Sequence, residues 1–164
     1  MIYTRGGDEG NTSTFTGKRV RKNDDVIEAI GQMDVVVAYL QQNRRFYTEG
    51  SSEYKQLSRL IEGLYQMCAE VSNGKASGLS KTVNNSYVER LERSIDELNI
   101  KLDHFVDFKK ELPISLNTSR VFVRTLERRM TDMLLKEQIR PVMYHYVNRM
   151  SDYLFALAVK EEEK

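Results

Sequence analysis

Apolar side chains recur every three or four positions through most of this chain. Val26, Ile30, Met33, Val37 and Leu40 form one such stripe, and Asn23-Asp24-Asp25 before it supplies capping chemistry, which predicts a first helix. After a break at Thr48-Glu49-Gly50-Ser51, a second stripe runs through Tyr54, Leu57, Leu60, Ile61, Leu64, Met67, Cys68 and Val71, and Asn73-Gly74 offers a left-handed stop. A third covers Val88, Leu91, Ile95, Leu98, Leu102 and Phe105, with Ser86 and Glu89 at capping-box spacing. Pro113 interrupts the pattern. A fourth helix is marked by Val123, Leu126, Met130 and Met133, and Pro141 suits the first turn of a fifth through Met143, Val147, Met150, Leu154 and Leu157. Five amphipathic helices joined by short or moderate links predict an all-α, up-and-down five-helix bundle.

The first 23 residues follow no helical period. Gly6, Gly7, Gly10 and Gly17 alternate with hydroxyl residues and then with Lys18, Arg19, Arg21 and Lys22, so this stretch is expected to be a glycine-rich loop, with a short strand at Ile2 to Thr4. Residues 75–85, rich in Ser, Gly and Asn, read as a mobile connection. At 164 residues the chain is the size of one domain, with segment 1–23 followed by a bundle over 24–161, and no internal repeat divides it.

Charge narrows the function classes. Twenty-five Lys and Arg nearly balance 24 Asp and Glu, leaving a net charge of +1 and no overall field to attract nucleic acid or an acidic membrane, so an anion site has to be local. No apolar run approaches the roughly 20 residues that cross a bilayer. The single Cys68 can form no internal disulfide, and polar residues follow Met1 where a leader would be apolar, so a reducing, cytoplasmic setting is expected. Two prolines and no tryptophan also favour helices over a β-sandwich.

Protein-side-chain chemistry is scarce. His104 and His145 are far apart and beside no cysteine, no G-x-S-x-G elbow occurs, and Cys68 falls on the apolar side of its helix as an inert core thiol. Two segments remain. In Thr4-Arg5-Gly6-Gly7-Asp8-Glu9-Gly10-Asn11-Thr12-Ser13, glycines permit close backbone approach to a ligand, Thr12, Ser13 and free N–H groups can donate to phosphate oxygens, and Arg5 and Lys22 add charge. It lacks the Gly-Lys-Ser/Thr of a Walker A loop, and on its own it reads either as a tail or as a phosphate site. On the fourth helix, Arg120, Arg124, Glu127 and Arg128 occupy one polar sector, at roughly 0°, 40°, −20° and 80° around the axis. That sector is either a solvated face or, given its excess of planar guanidinium groups, an anion-binding strip. Asn148 and Asp152 form a polar i, i+4 pair on an otherwise apolar fifth helix.

Taken together, these segments resemble the propanediol-utilisation type of ATP:cob(I)alamin (corrinoid) adenosyltransferases. The likeness lies in Ile2-Tyr3-Thr4-Arg5-Gly6-Gly7-Asp8-Glu9-Gly10, in Ser13-Thr14-Phe15-Thr16-Gly17, in Lys22 with Glu28-Ala29-Ile30-Gly31 and Asp34, in Arg120-x-x-x-Arg124-x-x-Glu127-Arg128-Arg129, and in Asn148-Arg149-Met150-Ser151-Asp152. The resemblance implies a homotrimer with active sites between subunits. It implies transfer of the 5′-deoxyadenosyl group of ATP to the cobalt of reduced cobalamin, usually with Mg2+ on the triphosphate, and a cobalamin reductase as a possible partner. It assigns ATP to Thr4, Arg5, Gly6, Gly7, Thr12, Ser13 and Lys22, and to Arg124, Glu127, Arg128 and Asn148, with Arg124 and Lys22 acting on the leaving triphosphate. Arg120 resembles the family arginine that pairs across subunits with the helix-one aspartate, here Asp34.

The chain departs from the family pattern at several places. Where the family usually has Phe-x-Leu-Pro-Gly-Gly, this chain has His104-Phe105-Val106-Asp107-Phe108-Lys109-Lys110, so the phenylalanine of the corrinoid-facing wall is assigned to Phe105 or Phe108. Val35-Val36-Val37 follow Asp34 in place of the usual Glu-Leu-Asn/Ser, Thr125 stands where a second adjacent arginine is common, and Gly6 replaces a threonine. An alternative consistent with these changes is an ATP-binding homologue of the same fold that has lost cobalamin turnover and acts as a regulatory or structural protein.

Overall fold

The computed structural model describes residues 2–3, 5–73, 82–102 and 105–164. Thr4, Gly74, most of the 75–85 connection and His104, all singled out above, lie outside the described residues. The elements run β1 (Asn11–Ser13), β2 (Arg19–Arg21), α1 (Asp25–Arg44), α2 (Ser52–Asn73), α3 (Asn85–Leu98), α4 (Glu111–Leu135) and α5 (Pro141–Glu163). The five helices expected from periodicity are present.

Local chemistry starts these helices. The Asp24 carboxylate accepts from the Val26 N–H at 3.0 Å to cap α1, and the Ser51 hydroxyl accepts from Tyr54 N–H at 3.2 Å to cap α2. Pro141 opens α5, where its missing N–H costs nothing. The apolar stripes then turn inward: Met33, Leu40, Leu57, Leu64, Met67, Leu91, Leu126, Met130, Met133, Val147 and Leu157 are all fully buried in one core. Helix α5 packs against α4 and α3, while α1 packs against α2 and α4. Helices α1 and α4 are antiparallel, as successive cross-links show: Asp25 with Lys136 (2.8 Å), Glu28 with Arg129 (4.0 Å), Gln32 with the Phe122 carbonyl (3.1 Å) and Asn43 with Ser119 (2.7 Å).

Four expectations are corrected. The N-terminal strand is not at residues 2–3; instead β1 and β2 form an antiparallel hairpin with Thr12 opposite Val20. Its turn is closed by Thr14 N–H donating to the Lys18 carbonyl at 2.9 Å, with Gly17 at φ +82°, where a side chain would be strained. Helix α3 is capped by Asn84, not Ser86, and ends at Leu98 because Asn99 adopts the left-handed conformation at φ 50°, so Leu102 and Phe105 fall beyond it. Pro113 does not precede α4 but sits in its first turn, since the helix begins at Glu111 and those first N–H groups have no intrahelical acceptor anyway.

Two packing features fix the arrangement of α2 and α5. Glu70 on α2 is buried, and its carboxylate accepts two hydrogen bonds from Arg140, at 2.5 and 2.8 Å; Arg140 also donates to the Val83 carbonyl at 2.7 Å. Gly63 on α2 faces the Tyr146 ring so closely that an added Cβ would lie 2.6 Å from its hydroxyl oxygen and 2.8 Å from Cε1. Gly63→Ala is therefore expected to force the ring aside and lower stability by about 1–3 kcal/mol, read by chemical denaturation. An unchanged midpoint would show that the ring yields freely.

Candidate functional site

The hairpin and α1 build the first half of the site. Arg5 takes the left-handed conformation at φ 58°, with its guanidinium 5.9 Å from the Tyr3 ring centre. Arg19 donates to the Gly6 carbonyl at 2.7 Å and lies 3.4 Å from the Ser13 hydroxyl, so it ties the glycine segment to the hairpin. Lys22, just past β2, donates its N–H to the Gly10 carbonyl at 2.9 Å, and its ammonium covers Gly7. A Cβ at Gly7 would lie 3.1 Å from Lys22 Nζ, so a side chain there would displace the ammonium by a few tenths of an ångström. Thr12 and Lys22 join Ile27, Glu28, Gly31, Gln32 and Val35 around an open cavity of about 460 Å3. Asp34 is exposed on α1, one turn beyond Ile30. The hairpin is also held from its tip, where Phe15 N–H donates to the Ser72 hydroxyl at 2.8 Å.

The second half lies on α4 and α5. Glu127 accepts from Asn148 Nδ2 at 2.7 Å, joining the two helical motifs directly. Arg120 donates to Asn117 at 2.8 Å and places its guanidinium 5.3 Å from the Phe155 ring centre. Burial, and then the charge of Arg124, pull Arg120 below its ordinary value, so this strip carries cations that repel one another. Arg128 donates to Thr125 at 3.0 Å, and Arg124, exposed, makes no hydrogen bond or ion pair among the described residues. Arg124 thus leaves an unpaired positive charge on this strip, three residues from the Glu127 carboxylate.

Phe108 and Phe105 differ sharply. Phe108 meets Phe155 edge to face at 6.3 Å, and the Lys109 and Lys110 N–H groups donate to Glu162 at 3.1 and 3.2 Å, which pins this segment along the end of α5. Phe105 is 95% exposed. The polar pair Asn148 and Asp152 is joined through Arg149, which donates to both, at 3.1 and 3.0 Å. Sequence reasoning gave Arg19 and Arg149 no role of their own and did not name Phe155 or Glu162. Only the arginine-rich composition of the hairpin and the position of Arg149 between two polar residues hinted at any of them.

Among the described residues, no hydrogen bond or ion pair joins the hairpin to the arginine strip. Arg129 and Lys136, which reach α1, project at roughly 180° and 160° around α4 from Arg120, whereas Glu127 and Thr131, which reach α5, lie within roughly 20° of it. The hairpin cavity follows α1, whose ion pairs with the α4 region run through Arg129 and Lys136 and not through the arginine strip. Asp34 and Arg120 accordingly make no ion pair with each other. Cys68 is part-buried with its sulfur 3.4 Å from that of Met33, and burial pushes its thiol up to about 12, as an inert thiol requires. Among the described residues no three His, Cys, Asp or Glu side chains cluster as a metal site, and no helix is long and apolar enough to cross a membrane.

Known proteins resemble this chain in sequence and fold. Residues 2–161 match the sequence model of a family described as cobalamin adenosyltransferase. The chain is 30% identical over 168 residues to the corrinoid adenosyltransferase PduO of Salmonella typhimurium, covering 98% of this chain and 49% of that protein. It thus spans about half the length of that relative. Against a corrinoid adenosyltransferase of Citrobacter freundii the identity is 31%, covering 98% of this chain and 94% of the relative. The fold is shared with a PduO-type ATP:corrinoid adenosyltransferase variant from Lactobacillus reuteri, solved with cobalamin and ATP, at a TM-score of 0.87 and 23% identity over 99% of this chain and 94% of that one.

Proposed function

This chain belongs to the cobalamin adenosyltransferase family, and from that membership we propose that it transfers the 5′-deoxyadenosyl group of ATP to the cobalt of cob(I)alamin and releases triphosphate. The observation that carries this reading is a pair of cationic elements that form no ion pair among the described residues: Lys22 over Gly7 in the hairpin, and Arg120 with Arg124 on α4. Each suits a polyanion, and together they suit a triphosphate.

In the proposed reaction the Co(I) electron pair attacks C5′, a Co–C bond forms, the C5′–O bond breaks and triphosphate departs with its electrons, leaving Co(III). No nucleophile is needed from the protein. Its tasks are to hold C5′ in line with cobalt and to stabilise charge growing on the leaving group. Thr12, Ser13, Lys22 and the backbone of Arg5, Gly6 and Gly7 would grip ATP from the hairpin, with Thr4 beside them in the chain. Arg124, Arg128, Glu127 and Asn148 would grip it from the bundle. Magnesium would ride on the triphosphate, because Mg2+ favours phosphate oxygens and retained waters over an all-protein cage. The exposed Phe105 is the better placed of the two phenylalanines to cover a corrin ring, and Phe108 positions its segment.

Because no hydrogen bond or ion pair joins the hairpin to the arginine strip among the described residues, a complete site would draw on two copies of the chain, and a homotrimer would repeat that contact three times. Asp34 of one copy and Arg120 of the next would then pair. A double-mutant cycle on Asp34→Ala and Arg120→Ala, read by ATP affinity, is expected to show coupling, and additive effects would dismiss the pairing. A cobalamin reductase would supply the Co(I) substrate.

The direct test is formation of adenosylcobalamin from ATP and chemically reduced cobalamin. ATP binding without product would instead favour a homologue that has lost turnover, the reading consistent with the altered 104–110 segment. No calorimetric or thermal-shift response to ATP would remove both.

A further inference from the structure

Asn148 is held by two groups of opposite kind. Glu127, a carboxylate, can only accept, and takes the Asn148 Nδ2 proton at 2.7 Å; Arg149, a guanidinium, can only donate, and gives its proton to Asn148 Oδ1 at 3.1 Å. An asparagine amide has almost the same shape in either orientation, so its direction is set by such partners. Arg149 is in turn braced from two sides, by Glu92 of α3 at 2.9 Å and by Asp152 at 3.0 Å. Both contacts raise its guanidinium above the ordinary value, the Glu92 bond most, so its charge is well matched. The bracing has a spatial purpose. Val88, Glu92, Tyr144, His145, Asn148 and Arg149 surround a cavity of about 310 Å3, room into which an unbraced guanidinium and the Asn148 amide could swing.

We propose that Arg149 is a positioning residue for the nucleotide site: braced by Glu92 on α3, it locks the Asn148 amide so that Nδ2 faces Glu127 and the second amide proton stays free for ATP. This rests on the adenosyltransferase reading above. It extends that site to α3, a helix that contributes no residue to the site as otherwise assigned. Arg149 acts here through Asn148 and makes no contact with the nucleotide itself.

The test is ATP affinity, measured by calorimetric titration of the full chain for wild type, Arg149→Ala, Asn148→Ala and the double variant, with KM and kcat alongside. Arg149→Ala is expected to weaken ATP binding on the order of tenfold, as loss of a charged hydrogen bond implies. The loss should appear in KM more than in kcat, because it is a loss of ground-state positioning. In the Asn148→Ala background the same change should have almost no further effect. Arg149→Lys should restore only part of the affinity, since one ammonium cannot replace the planar fork. Should Arg149→Ala unfold the chain, Glu92→Gln, which leaves the packing intact, should still weaken ATP binding about threefold, by loosening one charged brace. Wild-type binding with additive single effects, or with no effect of Glu92→Gln, overturns this inference alone; absence of ATP binding by the wild type overturns the adenosyltransferase reading and this inference with it.

Discussion

Arg124→Ala is expected to lower adenosyl transfer by about a hundredfold while leaving the fold intact, because the side chain is exposed and holds nothing else in place. Arg124 stands one turn from Arg120, the two guanidinium groups repel each other, and Arg124 forms no ion pair among the described residues. Such an arrangement raises the free energy of the empty site, and an anion relieves it. In the proposed transfer, negative charge would build on the triphosphate as the C5′–O bond breaks, so a donor fixed in advance would stabilise the transition state more than the ground state. The loss should therefore fall on kcat/KM with a clear share in kcat. Lys22→Ala is expected to act by a similar amount from the hairpin side, since its ammonium sits over the glycine segment. Steady-state rates of adenosylcobalamin formation decide this. Unchanged turnover in both variants would mean that the triphosphate binds elsewhere.

The second large effect concerns stability. Arg140→Ala strips both hydrogen bonds from Glu70, a carboxylate that is only 4% exposed, and leaves an uncompensated charge inside the bundle. Breaking a buried pair in this way costs about 3–5 kcal/mol. Part of the arginine reaches solvent, so water can enter after its loss, and the lower end of that range is the expectation. For a domain of this size about 3 kcal/mol corresponds to a fall in Tm of roughly 6–12 °C. Glu70→Gln should cost less, because a neutral amide can keep one bond to Arg140. Equal melting temperatures for wild type and Arg140→Ala would show that Glu70 finds another partner. Arg140 also holds the Val83 carbonyl, so the same substitution loosens the approach to α3.

Much of the architecture was legible because it depends on local order. The 3.6-residue period exposes each buried stripe, and Asp24 and Pro141 mark helix starts through groups within a turn of themselves. The hairpin was illegible for a related reason. Asn11–Ser13 and Arg19–Arg21 are short and polar, and what pairs them is cross-strand hydrogen bonding together with the anchor from Phe15 to Ser72, 57 residues away. Helix α3 was read too long because Leu102 and Phe105 continue the spacing, while the left-handed Asn99 stops the backbone.

The candidate site divides along the same line. Its chemistry, a glycine-rich segment and an arginine strip without a protein nucleophile, is a matter of residue type and near-neighbour spacing, and so was visible in the chain itself. Which of those side chains touch was not. Glu127 meets Asn148 across 21 positions, and Arg149 reaches Glu92 across 57, because α3, α4 and α5 are rotated about their axes to bury their apolar faces and carry their polar residues wherever that rotation leaves them. Periodicity says that a helix has a buried face; only the packing of every helix at once decides what each exposed residue confronts.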